Sequence, residues 1–329
     1  MTRTTLFIFI ALALACAACG PTIADKPVAV TPTVDKPVAS APAVDTPAES
    51  KPADTPAVVT PVVDKPVVST PTVNTLANIK AKGVLVAGVR GTAPPFGTVN
   101  PNTKMNEGYD VDFVLYLAKK LGVKAEFRIV TAVNRIPLLM DGSIDILAAA
   151  LTITPERTQQ IDFSHAYFMT GKKFLAPAGM FKSLIEFNGK KVGTSRGSTS
   201  ERVMVAVLPT AEIVPFDDYP KAVVALQQKK IHAVATDEAI LAGQLYLLEK
   251  NPATRGKFEI PDLRVSTELY GLGIRKGDTN FLEFVNKTLI EMEESGEAKA
   301  IFQRWFGRNS ECPIRRGGFT ITKNVSPTE

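Results

Sequence analysis

The sequence predicts an α/β protein of two lobes, each a mostly parallel sheet flanked by helices, with the chain crossing between lobes twice. Three observations carry this. Strand-like and helix-like segments alternate from Val84 onward, the alternation falls into two separate sets, and a late strand with two helices returns after the second set. With 329 residues and 45% hydrophobic content, the chain is long and apolar enough to build both cores.

The first segment, MTRTTLFIFIALALACAACG, has Arg3, an apolar run from Leu6 to Ala15, and then small residues with two cysteines. That is the pattern of a secretory signal, too short to span a bilayer comfortably. Its end resembles a bacterial lipoprotein box, with Cys19 as the lipidated residue and Cys16 as the alternative. Cys312 is the only other cysteine, so a mature chain without the first two has no internal disulfide. From Pro21 to Thr75 a five-residue repeat sets in, as ADKPV, VDKPV and VDTPA, with prolines from Pro27 through Pro71 at nearly every fifth position. Proline at that spacing forbids a regular helix and removes sheet donors, which predicts an extended linker.

In the folded part, VLVAGV is an alternating strand, YDVDFVLYLAKKLG a helix, KAEFRIV a strand, NRIPLLMDG a helix and DILAAAL a buried strand. Gly122 and Gly142 mark the helix ends. The second set runs KKVGT, a helix from Ser198, EIVPF, a helix through DDYPKAVVALQQKK, HAVATD and a helix through AILAGQLYLLEK. TELYGLGIRKGD then returns as a strand, and the segment from Asn280 to Phe306 reads as two helices broken around Ser295-Gly296. The expected organisation is a signal peptide with lipobox over 1–19, a linker over 20–74, one lobe from 75–176 and 268–308, a second over 177–267, and a tail over 309–329.

Lysine plus arginine exceed aspartate plus glutamate by 38 to 33, with no long basic run, which argues against nucleic-acid binding. Asp110 and Asp112 suit a helix N-terminus better than a metal site, because no histidine or cysteine set accompanies them. His165 beside Ser164 does not make a hydrolytic dyad by adjacency alone. Phe96, Phe163, Tyr167, Phe168 and Trp305 are expected in the core.

GYDVDFVLYLAKKL resembles the signature of the family-3 solute-binding proteins, extracytoplasmic receptors of polar amino-acid ABC importers. The likeness continues through LTITPERTQQIDFS, KKVGTSRGSTSER, AVATDEAILAG and SGEAKAIFQRWF, covering nearly all of residues 75 to 307. The resemblance implies the type II periplasmic-binding-protein fold with a two-strand hinge, ligand-induced closure, and no catalysis, cofactor or metal. It implies an amino-acid ligand, an ABC permease and ATPase complex as partners, and a periplasmic or extracellular location with the lipid anchor in the membrane.

It also implies roles by position. Arg157 grips the ligand α-carboxylate, with Thr152 and the main chain at Ala150 beside it, and a planar guanidinium suits both carboxylate oxygens. Glu156 is the alternative partner for Arg157. RGSTSER places Gly197, Ser198 and Thr199 where helix-start N–H groups can face an anion, with Glu201 completing a capping box. Asp237 is the α-ammonium partner. Ala93 and Ala132 stand where many relatives carry aromatic rings, while Arg90 and Arg135 resemble the distal-carboxylate arginines of the glutamate/aspartate branch. Tyr219 stands where that branch often has histidine, so glutamate, aspartate and their amides all stay open. Rivals are a cyclohexadienyl dehydratase-like enzyme on the same fold and a ligand-sensing domain for a signalling partner.

Overall fold

The computed structural model describes residues 74–323. The signal peptide, both candidate lipidation cysteines and the proline repeat lie outside the described residues. Helix α1 (Thr75–Lys82) leads into β1 (Val84–Val89) through Gly83, whose positive φ of 70° ends the helix. A small sheet of β2 (Thr92–Ala93), β3 (Gly97–Val99) and β4 (Asn106–Glu107) precedes α2 (Tyr109–Leu121), β5 (Lys124–Ile129), α3 (Arg135–Met140), β6 (Ile146–Ala148), α4 (Pro155–Gln160) and β7 (Ile161–Thr170). Only Gly171 separates β7 from β8 (Lys172–Pro177). The chain continues through β9 (Lys191–Ser195), α5 (Thr199–Val207), β10 (Glu212–Phe216), α6 (Tyr219–Gln227), β11 (Ala233–Asp237), α7 (Glu238–Lys250) and β12 (Phe258–Glu259). It ends in β13 (Glu268–Arg275), α8 (Thr279–Glu294) and α9 (Glu297–Phe306).

Two five-stranded sheets result, ordered β5-β1-β6-β13-β7 and β10-β9-β11-β8-β12. In the first, β5, β1 and β6 are parallel and β13 runs antiparallel to β6 and β7. In the second, β10, β9 and β11 are parallel, and β8 is antiparallel to β11 and β12. The chain passes from the first sheet to the second at Gly171 and returns between β12 and β13. These crossings lie side by side: the Val265 N–H donates to the Lys172 carbonyl at 3.0 Å, and a Cβ at Gly171 would sit 2.2 Å from the Ser266 carbonyl oxygen.

The first lobe is centred on an aromatic cluster. Phe96 and Phe168 meet edge-on at 4.9 Å between ring centroids, and Tyr109, Tyr167, Tyr270 and Phe306 surround them. The expected core rings Phe96, Tyr167 and Phe168 are buried there. Phe163 is half-buried on the opposite face of the sheet, and Trp305 packs at the cluster's rim with its indole N–H on Asp112. The second lobe has an apolar layer on each face of its sheet, one with Phe174 and Phe187, the other with Leu226 and Leu241.

The lobes are shut against each other. Tyr219 and Ile240 of the second lobe join the apolar cluster of the first, Arg202 pairs with Glu156 at 3.2 Å, and a Cβ on Gly243 would fall 2.0 Å from the Pro94 carbonyl oxygen. Residues 309–323, expected as a tail of little apolar periodicity, pack instead against both lobes. Arg316 forms a two-bonded pair with Glu293 at 3.0 and 2.5 Å, Cys312 and Ile321 are buried, and Glu311 accepts from Tyr246 and Lys250 on α7. Side-chain pairing, rather than a regular element, holds this segment. Burial pushes the Cys312 thiol up to about 12, which keeps it protonated and unreactive. Among the described residues no helix is long and apolar enough to cross a membrane.

Candidate functional site

The site begins where β6 runs out. After Ala148 the chain turns sharply, with Ala150 at φ 47°, a left-handed conformation unusual for a residue with a Cβ. Asp110 at the start of α2 holds this turn: its carboxylate accepts from the Ala150 N–H at 2.7 Å and from the Tyr167 hydroxyl at 2.6 Å. Thr154 then caps α4 with Pro155 in the first helical turn, so that Arg157 is anchored at a helix start. Its guanidinium folds back and donates to the Thr152 carbonyl at 2.8 Å.

Two more guanidinium groups belong to this lobe. Arg135, opening α3, is buried and donates to the Ala149 carbonyl at 2.8 Å. Arg90, just past β1, is buried over the Tyr219 ring at 5.6 Å from its centroid. Burial first, and then the charges of Arg157 and Arg90, lower the Arg135 pKa well below its ordinary value. Among the described residues none of the three pairs with a carboxylate, and the Nε donors of Arg90 and Arg135 are buried without a hydrogen-bond partner. Such a cluster is costly in isolation and strongly favours an anion among its members.

The second lobe contributes Thr199 at the start of α5 and Asp237 at the end of β11. Asp237 sits at the N-terminal boundary of α7, yet its side chain makes no capping bond; it turns inward to Lys172. Thr152 Oγ1 and Thr199 Oγ1 lie 3.4 Å apart, joining the lobes at the site. Lys172 escaped the sequence reading. Its ammonium is fully buried and donates to Thr199 Oγ1 at 2.9 Å and Asp237 Oδ1 at 3.1 Å, with Glu268 Oε1 at 3.5 Å. The signal was the pair Lys172-Lys173 opening an otherwise apolar strand. Successive side chains of a strand face opposite sides, so one lysine of the pair had to point inward.

Several expectations change. The Gly197 N–H donates to Glu201 Oε2 at 2.7 Å and the Ser198 N–H to the Ser195 carbonyl at 3.1 Å, so neither is free to face an anion. The Ser198 hydroxyl accepts from the Glu201 N–H at 3.3 Å, which makes Ser198 the cap of α5 while Thr199 alone of this loop reaches the cleft's centre. The Ala150 N–H is likewise taken by Asp110, leaving its carbonyl for other partners. Glu156 pairs with Arg202 across the lobes, not with Arg157. Asp110 does more than start a helix: it fixes the turn beneath the guanidinium cluster. Ser164 donates to the His165 carbonyl and makes no dyad with its ring. No group of three metal-ligating side chains gathers among the described residues.

Two α/β lobes, a double crossover and a polar cleft between them define a type II periplasmic-binding-protein fold. The chain belongs to the bacterial extracellular solute-binding proteins, family 3, whose family model matches residues 85–308. It is 33% identical over 235 residues to the ABC transporter glutamine-binding protein GlnH of Bacillus subtilis (strain 168), covering 70% of this chain and 84% of that one. It is 29% identical over 243 residues to the L-glutamate/L-aspartate-binding protein of Pseudomonas aeruginosa, covering 70% and 79%. Among solved structures, the ancestral amino-acid-binding protein AncCDT-1, a precursor of cyclohexadienyl dehydratase, superposes with a TM-score of 0.65 at 32% identity, covering 70% of this chain and 99% of that one.

Proposed function

We propose that this protein is an extracytoplasmic receptor that captures L-glutamate or L-aspartate by lobe closure and delivers it to an ABC permease. The observation that carries the reading is the buried cluster of Arg90, Arg135 and Arg157, none of which forms an ion pair with a carboxylate of the described residues. A neutral or basic side chain leaves at least one of these cations uncompensated. A ligand with two carboxylates engages the cluster at both ends.

In this mechanism the α-carboxylate docks first on Arg157 and Thr152 of the first lobe. Arg135 and Arg90 take the distal carboxylate, with the Tyr219 ring covering Arg90. Closure then brings Thr199 and Asp237 onto the bound molecule, so the ligand favours the shut state by its additional contacts there. The ligands of two relatives, glutamine in one and glutamate or aspartate in the other, agree with an amino-acid receptor. Membrane attachment through Cys19 or Cys16 keeps the receptor near its permease.

A thermal-shift and calorimetric panel of the common amino acids plus prephenate tests this, because a ligand of the folded state raises the midpoint by mass action. Glutamate or aspartate is expected to bind most tightly, and Arg135→Ala to weaken glutamate far more than glutamine. Equal losses for both would remove Arg135 from the distal carboxylate, and a shift with arginine or prephenate alone would overturn the acidic amino-acid reading.

A further inference from the structure

Lys172 stands where the chemistry of the two lobes meets. It begins β8, one residue past the crossing at Gly171, and its ammonium is fully buried between Thr199 Oγ1 at 2.9 Å and Asp237 Oδ1 at 3.1 Å. Thr199 and Asp237 are the second-lobe groups assigned above to the ligand. Burying a lysine ammonium is expensive unless carboxylates and hydrogen bonds compensate it. Here the compensation comes from the carboxylate that a ligand ammonium would itself need.

The second carboxylate, Glu268, opens β13 on the returning crossing and stands 3.5 Å from Lys172 while accepting from the Ser266 hydroxyl at 2.8 Å. Lys172 therefore ties the two crossings together at the floor of the cleft. Through Thr199 it also reaches Thr152, whose hydroxyl is 3.4 Å from that of Thr199.

We propose that Lys172 is a specificity-determining residue: it serves as a built-in ammonium that satisfies Asp237 from inside the protein, so the cleft binds short dicarboxylates whether or not they carry an α-amino group. This rests on the acidic-ligand reading above. Charge counting supports it. Arg90, Arg135, Arg157 and Lys172 supply four positive charges, and Asp237 and Glu268 supply two negative ones. The surplus of two matches a dicarboxylate with no ammonium. Asp110, whose carboxyl burial raises to about 7, adds a further negative charge when ionised, and the surplus of one then matches an amino dicarboxylate. The same cleft thus balances both ligand types.

Isothermal titration of the purified protein with L-glutamate, 2-oxoglutarate and glutarate tests the proposal without any substitution. At least one deaminated ligand is expected to bind within about thirtyfold of glutamate. If glutamate binds and both others are weaker than that, Asp237 requires the ligand's own ammonium and the proposal is overturned. If no dicarboxylate of either kind binds, the acidic-ligand reading itself has failed, and this proposal falls with it. Lys172→Met, with Lys172→Gln as the better-tolerated variant, is expected to weaken the deaminated ligand about tenfold more than glutamate. Equal losses for the two would make Lys172 a structural cation of the hinge rather than a reader of ligand charge.

Discussion

Removing the Arg157 guanidinium should weaken every carboxylate ligand of the cleft by about 30-fold or more. A guanidinium has five N–H donors, and Arg157 spends one on the Thr152 carbonyl at 2.8 Å. The others remain for a carboxylate, in the fork geometry that permits two parallel charge-assisted bonds. Truncating one partner of such a buried pair costs about 2–5 kcal/mol, which raises Kd by about 30-fold to about 5,000-fold. Arg157→Lys keeps the charge and loses the fork, and should fall between wild type and Arg157→Ala. The Thr152 carbonyl loses its donor in Arg157→Ala, so a separate loss of about 1 kcal/mol in ligand-free stability is expected. Isothermal titration at fixed ionic strength measures the first effect and urea unfolding the second. A Kd for glutamate within threefold of wild type, alongside reduced stability, would refute the reasoning and leave Arg157 as a staple for the Thr152 turn.

Gly243→Ala tests closure. The added Cβ would meet the Pro94 carbonyl oxygen at 2.0 Å, a backbone contact between α7 and the opposite lobe, while alanine within a helix is intrinsically favoured over glycine by about 1 kcal/mol. Ligand-free stability should therefore hold or rise while glutamate affinity falls about tenfold or more, and small-angle scattering should show no ligand-induced compaction; compaction with wild-type affinity would place the clash outside the functional motion. Asp110→Asn tests the support of the site's turn through pH. Burial first, opposed by its hydrogen bonds from Tyr167 and Ala150, raises the Asp110 carboxyl from 3.8 to about 7. A raised carboxyl pKa means the native state holds the extra proton, so this group's contribution to stability is full below pH 3.8 and declines as pH rises toward 7, by about 4 kcal/mol in all. The stability difference between wild type and Asp110→Asn should shift in the variant's favour across that interval, and a pH-independent difference would show that Asp110 is ionised throughout.

The architecture was legible because its causes are local. Alternating apolar residues in VLVAGV, the glycine stop at Gly122 and the break at Ser295-Gly296 each act within a few residues, and all three fall where the structure has them. The long strand β7 was not read, because IDFSHAYFMT carries polar residues that alternate poorly. Its place comes from pairing with β13, about a hundred residues later. The packing of residues 309–323 was invisible for a related reason. Arg316 and Glu293 meet only after α9 has turned the chain back, and no periodic pattern announces one ion pair.

The site divides along the same line. Arg157, Thr152 and Asp237 could be named because they stand inside recognisable motifs, and Arg90 and Arg135 because their positions resemble those of the distal-carboxylate arginines of the glutamate/aspartate branch. Lys172 belongs to none of the motifs that carry the resemblance, and Asp110 lies in one but reads there only as a helix start. Both work across the fold. Asp110 holds a turn forty residues away, and Lys172 reaches carboxylates that enter from β11 and from the returning crossing. Buried charge is what links them. A polar group removed from water must be answered by a partner, and the partner's position is set by the tertiary structure rather than by sequence distance. In this cleft the acids Asp237 and Glu268 are answered by Lys172, whereas the guanidinium cluster forms no ion pair with a carboxylate among the described residues. The charge left without an ion pair is positive, and the acidic ligand proposed above is the partner that would answer it.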